Sequence, residues 1–426
     1  MRKIIIGLLI GLIAVSVFAS ETRRSVLNLG GYVCDMIDCW DNPGLLINYH
    51  TDLGKDAVGM EFGFDNAPNN ADMNRWGYLH YGTPGVRYLG VAVNRPFNQR
   101  LLPFRNTGFN LALSQIPGFA DLALDTLQAP HNLLDVIYST KMGQAGVGIN
   151  MNFGMWGMDG DSAQYTADLS SMKFGLLAGY HTPTLSFTLG LDYLTASAEM
   201  TDTLTALSSE KLDVSGMHIY GGFKYVMYPN QNTDIILPRV GVDYWTGNGT
   251  FTQAGTASIT WDPEMKGTDM MITLGSGIVW HGNTWLAGLA GEVGYRMEKA
   301  TYTNETANNI EREESENTMI IPRVRAGAES RVFSWLTARA GMTYQLHMVN
   351  EKDETTVAGT SATVERNEKF WRNMNMQIGL GVHFGPNFTL DAEVSEDLLY
   401  NGPYLLSGAN NGTNPMNLCI SATYTF

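Results

Sequence analysis

Little in this 426-residue chain is basic, charged or sulfur-bearing, and each shortage excludes something. Lys and Arg number 27 against 42 Asp and Glu, a formal net charge of −15, so the basic footprint of a nucleic-acid binder is missing. Charged residues make up 16% of the chain, where a soluble domain carries about 25%, and this composition suits a membrane barrel better than a soluble globule. There are three cysteines. Two of them, Cys34 and Cys39, have no neighbouring His to complete a tetrahedral metal set. No HExxH, P-loop or CxxC pattern occurs. His181, His281 and His383 fall at strand ends beside short turns on separate strands, and His218 and His347 have no nucleophile motif near them. The expectation is a non-enzyme with no catalytic residue, cofactor or metal. Asp35, Asp38 and Asp41 could hold a cation, but capping and turn roles suit them better. After the first twenty residues no apolar run reaches the length of a spanning helix, about 20 residues.

What is present begins with that first stretch. Arg2 and Lys3 precede the apolar run Ile4–Phe18, with small residues at Ala19 and Ser20, the pattern of a cleavable signal peptide over 1–20. In an exported chain without further helical spans, any membrane span must be made of strands. Strand signals are abundant. Leu185, Phe187, Leu189, Leu191 and Tyr193 share one face of 185–193, and the segments 285–297, 336–348 and 374–384 alternate in the same way. Runs of nine or more residues match a tilted bilayer-crossing strand, whereas sandwich strands are mostly about 5–6 residues. Short turn signals at 83–85, 143–144, 182–184, 229–232, 282–283, 333–335 and 385–387 alternate with longer polar stretches at 157–166, 200–211, 247–267, 301–316, 351–366 and 401–414. Outer-membrane barrels alternate periplasmic turns and extracellular loops in this manner. The fold class expected is all-β, a transmembrane antiparallel barrel over 56–426 with about 16 strands, or about 14 if two segments are mis-split.

The final strand runs Leu418, Ile420, Ala422, Tyr424 and Phe426 along one face, with Asn417, Cys419, Ser421, Thr423 and Thr425 on the other. It resembles the closing strand of bacterial outer-membrane barrels, whose terminal Phe belongs to the signal read by the barrel-assembly machinery. The resemblance implies that Tyr424 and Phe426 form that signal. It also implies that the machinery and outer-membrane lipid are partners and that the chain resides in the bacterial cell outer membrane.

Residues 21–55 break the strand pattern. Leu29-Gly30-Gly31 is followed about a dozen residues later by Asn42-Pro43-Gly44-Leu45. This looks like the start of FadL-type barrels and the related PorV-like proteins, and Pro322–Glu329 and Leu336–Tyr344 are similar to strand pairs there. The resemblance implies a plug over 21–55 folded inside a 14-strand barrel, with Gly30, Gly31, Asn42 and Pro43 as its motif residues. Gly44 stands where that family usually has Ala, and Cys34 and Cys39 lie inside the plug segment. In an exported chain those two cysteines are close enough for a small disulfide loop, and two free thiols in a packed segment are the alternative.

Residues 96–135 are too long for a hairpin loop, and their Leu and Phe allow one or two short amphipathic helices broken at Pro103, Pro117 and Pro130. They fold over the barrel mouth or offer a hydrophobic landing site. Inward positions carry Lys173, Asp192, Lys224, Arg239, Asp243, Glu292, Arg296, Arg323, Arg325, Glu329, Arg339, Asp391 and Glu393. Cross-strand or plug ion pairs account for both signs of charge, and a basic strip for an anionic solute or fatty-acid carboxylate is the sharper alternative. Two function classes stay open. One is transport of a hydrophobic or amphipathic small molecule, as in FadL-type barrels. The other is a non-transporting scaffold or secretion adaptor, PorV-like, that binds a secreted protein through its loops.

Overall fold

A computed structural model describes residues 21–33, 35–64, 75–95, 132–161, 165–202, 209–254, 264–304, 310–357, 360–385, 387–396 and 417–426. The expected signal peptide, Cys34, and the expected helices within 96–131 lie outside the described residues.

Alternation of apolar and polar side chains over long stretches gives, among the described residues, sixteen antiparallel strands in one closed barrel. They are β1 (Ala57–Phe64), β2 (Arg75–Thr83), β3 (Arg87–Arg95), β4 (Asn132–Met142), β5 (Ala145–Asp161), β6 (Tyr165–His181), β7 (Leu185–Asp202) and β8 (Ser209–Asn230). The second half comprises β9 (Thr233–Ala254), β10 (Glu264–His281), β11 (Trp285–Asn304), β12 (Ile310–Phe333), β13 (Leu336–Val357), β14 (Thr360–Phe384), β15 (Phe388–Glu396) and β16 (Asn417–Thr425). Each strand pairs with its sequence neighbours, and β1 closes on β16 in unbroken register from Ala57↔Thr425 to Phe64↔Leu418. Phe426 extends that seam, exchanging backbone bonds with Asp56 at 3.0 and 3.1 Å.

The outer face is apolar. Phe187, Leu189, Leu191 and Tyr193 are all exposed, as are Leu274, Leu289, Val293, Ile378 and Leu380. Near the short turns the exposed side chains become aromatic: Tyr180, Tyr228, Trp280, Trp285, Phe333, Trp335, Phe384, Tyr424 and Phe426. An apolar band with an aromatic girdle, on a barrel that leaves no free edge, is the solution for lipid, where every backbone group must be satisfied by the protein itself. The chain is an outer-membrane β-barrel, as the closing strand implied. Its count is sixteen rather than the fourteen of the FadL-type resemblance.

Strand length departs from the expectation. β12, β13 and β14 are 24, 22 and 25 residues long, while β1, β2, β3, β15 and β16 are 8 or 9. A tilted strand needs about 9–11 residues to cross lipid, so the long strands continue far into water. The polar stretches 301–316 and 351–366 are therefore mostly strand and not loop: Ser315 pairs with Lys352 and Glu316 with Glu351. Beyond the lipid both faces of a strand can be polar, so period-two hydrophobicity vanishes although the backbone ladder goes on.

Candidate functional site, the plug and the lumen

Inside the barrel lies the segment 21–55. It comprises α1 (Glu21–Leu27), a 3₁₀ turn (Met36–Trp40) and α2 (Gly44–Leu53). The 3₁₀ turn starts on a capping box. The Asp35 carboxylate accepts from Met36 N at 2.7 Å, and Asp38 accepts from Asp35 N at 2.6 Å. The acidic trio thus serves in caps and pairs, with Arg24 Nη1 at 3.4 Å from Asp38 and 2.6 Å from Asp41. Burial pushes the Asp38 carboxyl up to about 6, against the pull of Arg24.

On one side the plug meets β2 to β7. Asn42 Nδ2 donates to Ser186 Oγ at 2.7 Å and to the Tyr180 carbonyl at 3.3 Å, while its Oδ1 caps Gly44 N at 3.0 Å. Pro43 and Gly44 press on the bare backbone of β5 and β6. A Cβ at Gly44 would lie 2.6 Å from the Gly146 carbonyl oxygen, which explains glycine where alanine is usual in the resembling family. Trp40 packs edge-on to Trp76 at 6.4 Å and against Tyr78 and His80. His50, fully buried, stacks on Tyr88 at 4.6 Å. Its Nδ1 is 2.6 Å from the Lys55 carbonyl and its Nε2 is 3.0 Å from His80 Nδ1, so the first nitrogen carries the proton and the second accepts. Burial holds the His50 imidazole below its ordinary range. Cys39 is buried and unbridged, its Sγ 3.6 Å from His80 Nε2. Cys34, the expected disulfide partner, is outside the described residues.

On the opposite side the plug meets β12 to β16 through charge and through Val26 and Leu27, which lie on the bare backbone of Gly327 and Gly341. Arg23 reaches Asp35 and Glu329, each at 2.7 Å. Glu329 also accepts from Arg339 at 3.0 Å, and Arg339 continues to Asp391. Ser25 donates to Glu393 at 2.8 Å. Cys419 accepts from Thr22 at 3.3 Å and donates to Glu61 at 3.1 Å, so the polar face of β16 meets the plug.

Between these two anchorages the chain turns through Gly30 and Gly31, and Tyr32 reaches the wall. The Tyr32 ring lies under the Arg239 guanidinium at 5.2 Å and its hydroxyl is 3.3 Å from Glu292 Oε1. Burial beside Glu292 pushes that phenol up to about 12, keeping it a donor. Arg239, Arg323 and Arg325 converge on Glu292 at 2.6, 3.3 and 3.3 Å. Beside the plug a cavity of about 720 Å³ is walled by Arg24, Asn28, Gly31, Trp40, Lys173, Asp192, Lys224, Arg239, Asp243 and Arg325, among others.

Among the charges expected inside, two groups form. Glu292, Arg323 and Arg325 gather with Arg239, and Glu329 and Arg339 gather with Arg23 of the plug. Arg296 stands apart, farther from the short turns, paired with Asp269 at 2.5 Å and Glu298 at 3.1 Å. Sequence reasoning missed Arg23, Thr22, Trp40, His50 and His80. The plug has no repeating face to read. The inward run Trp76, Tyr78 and His80 of β2, however, carries an alternation that could have marked a docking wall.

No protein-family model matches the chain, and neither does a curated protein. Similar solved structures include the toluene transporter TbuX of Ralstonia pickettii, with a TM-score of 0.37 and 11% identity over 87% of this chain and 89% of that one. The toluene transporter TodX of Pseudomonas putida gives a TM-score of 0.33 at 10% identity, covering 87% and 88%. The translocator domain of the autotransporter NalP from Neisseria meningitidis gives 0.30 at 11%, covering 67% and 90%. The chain's own residues carry the functional reading.

Proposed function

We propose that the chain is a transport barrel that passes hydrophobic or amphipathic small molecules across the outer membrane, with the segment 21–55 as its gate. The observation that carries this reading is the cavity of about 720 Å³, whose walls come jointly from plug and barrel. A purely structural filler would pack against the wall on all sides, as protein interiors do. Here the plug is packed at its ends and leaves a chamber in the middle, of the size that small-molecule sites have. The plug contacts described are non-covalent, so the gate can shift without breaking a bond.

The test is solute flux in proteoliposomes. Removing residues 21–33 frees the charged end of the plug and should raise flux of a small solute at least tenfold over the intact chain. Absence of flux both with and without those residues would end the transport reading. A secreted protein that co-purifies from native outer membrane, together with that absence, would instead favour the scaffold.

A further inference from the structure

We propose that the cavity recognises its occupant by a hydroxyl group, held at Asn152 and Asp192 on the β5–β7 wall. This deepens the transport reading and rests on it: the cargo is a neutral amphiphile bearing an alcohol or a phenol.

The place is set by register. On the inner face Asp135 on β4 is paired with Asn152 on β5, Asn152 with Gly175 on β6, Gly175 with Asp192 on β7, and Asp192 with His218 on β8. Gly175 is the gap in that row. A Cβ there would collide with Asp192 Oδ1 and lie 2.5 Å from both amide atoms of Asn152. The two side chains therefore lean toward each other over bare backbone, and both belong to the cavity wall.

Hydrogen bonding is complete at one end of this row and open further along it. Asp135 is fully buried and takes Arg95 at 2.9 and 3.1 Å, Asn132 at 3.2 Å and Asn150 at 3.4 Å. Asp192 is also buried, and its Oδ2 accepts from His218 Nδ1 at 3.2 Å. Its Oδ1 has no hydrogen-bond partner among the described residues. Lys173 Nζ, which donates to Asn132 at 3.0 Å, stays 3.9 Å from that oxygen, beyond hydrogen-bond length. Asn152 Oδ1, in a side chain that is also buried, has no partner among the described residues either. On the plug side of the cavity the buried Trp40 Nε1 likewise lacks an acceptor among them. Buried polar groups are almost always hydrogen-bonded, so unmet ones on a cavity wall point to an occupant.

The chemistry of that occupant follows from the atoms. Asn152 Oδ1 and Asp192 Oδ1 only accept, so the occupant donates. A hydrocarbon and a carboxylate have no proton to give. A carboxylate would also face the like charges of Asp192 and Asp243, both on this wall. An ammonium would donate, but the Lys173 ammonium already stands 3.9 Å from the same oxygen. A hydroxyl donates without adding charge, and its own oxygen accepts from a donor such as Trp40 Nε1. Leu45, Leu177 and Tyr220 on the same wall serve the apolar part.

The experiment measures binding of 1-octanol and of its isomer heptyl methyl ether to the full-length protein in nanodiscs, against empty nanodiscs. The two probes contain the same atoms, and the ether lacks the donor. The wild type should bind the alcohol about ten- to a hundredfold more tightly, the range for a hydrogen bond to a charged group. Asn152→Leu should cut that ratio severalfold. Equal affinities in the wild type mean that water alone meets these atoms and overturn the site, and that arm needs no mutation. Tighter binding of octanoate or octylamine than of the alcohol overturns it as well, and so does a ratio that persists in N152L. Flux is read separately: an alcohol preference without flux removes the transport reading and keeps the site, and flux without preference does the reverse.

Discussion

The two ends of the plug are held by different physics. Toward β12–β16 ion pairs join the packing: Arg23 on Asp35 and Glu329, with Arg339 and Asp391 behind, beside Val26 and Leu27 on the bare backbone of Gly327 and Gly341. Toward β2–β7 the contacts are packed and neutral: Gly44 on bare backbone, Trp40 among aromatic rings, and His50, His80 and Cys39 in a buried chain. Desolvated charge pairs contribute little net stability but fail badly when one partner is lost. Close packing contributes more and does not respond to salt. The difference makes the end that holds Arg23 the more salt-sensitive of the two and, on the proposed gating function, the one that lets go first. Amide hydrogen exchange in 21–29 and in 44–54 reads the two ends separately.

The largest effect should come from the packed end. Trp40→Ala empties an aromatic site and should weaken docking by about 3–5 kcal/mol, which raises exchange in 44–54 more than a hundredfold. If 21–29 opens equally, the ends are not independent and neither lets go first. Next is Arg23→Gln, which leaves Asp35 and Glu329 short of a cation. Because Glu329 keeps Arg339, about 2–3 kcal/mol is expected, less than the full range for a broken buried pair. Exchange should rise in 21–29, and 44–54 should stay slow. Sodium chloride at 1 M should move the same end in the same direction more weakly, since partly buried pairs are only partly screened. Gly44→Ala ranks below these. It forces a methyl against the Gly146 carbonyl, an overpacking of about 1–3 kcal/mol, visible at 44–54.

These contrasts also show what was legible in the sequence. The wall was, because lipid outside and polar groups inside impress a two-residue period on every crossing strand. Glu292 is buried on the inner side of its strand, while Tyr424 and Phe426 are exposed on the outer face. Above the lipid that contrast disappears, so Ser315 and Lys352 read as loop while being paired in strands. Asn42 and Pro43 were legible only through family resemblance, since no periodicity marks a plug. Their seat was not legible at all. Gly146 and Gly179 look like ordinary strand glycines until Pro43 and Gly44 lie on them. Likewise, Gly275 has no meaning before the Tyr32 hydroxyl of the plug lies against it.

Acid gives the smallest and most selective effect, and it acts on the neutral end. His50 is fully buried with its Nε2 accepting from His80, so a proton there removes an acceptor and places a charge among Tyr88, His80 and Cys39. Asp56 is the acid that partly offsets this. The docked imidazole therefore has a value below 6.5, and the undocked one has the ordinary value. The sign follows. Above about 6.5 both states are neutral and docking is at full strength; as pH falls below it the undocked state takes up a proton first, and docking weakens. Asp38 works the other way. Its carboxyl, raised to about 6 from 3.8, favours docking as pH falls through about 6 and opposes it above. Exchange corrected for its intrinsic pH dependence should thus rise in 44–54 between pH 7 and 5, while 35–41 becomes slower. His50→Gln should flatten the first trend and leave the second. A wild-type profile in which 44–54 tightens in acid would show that the neutral chain through His80 is not what holds this end.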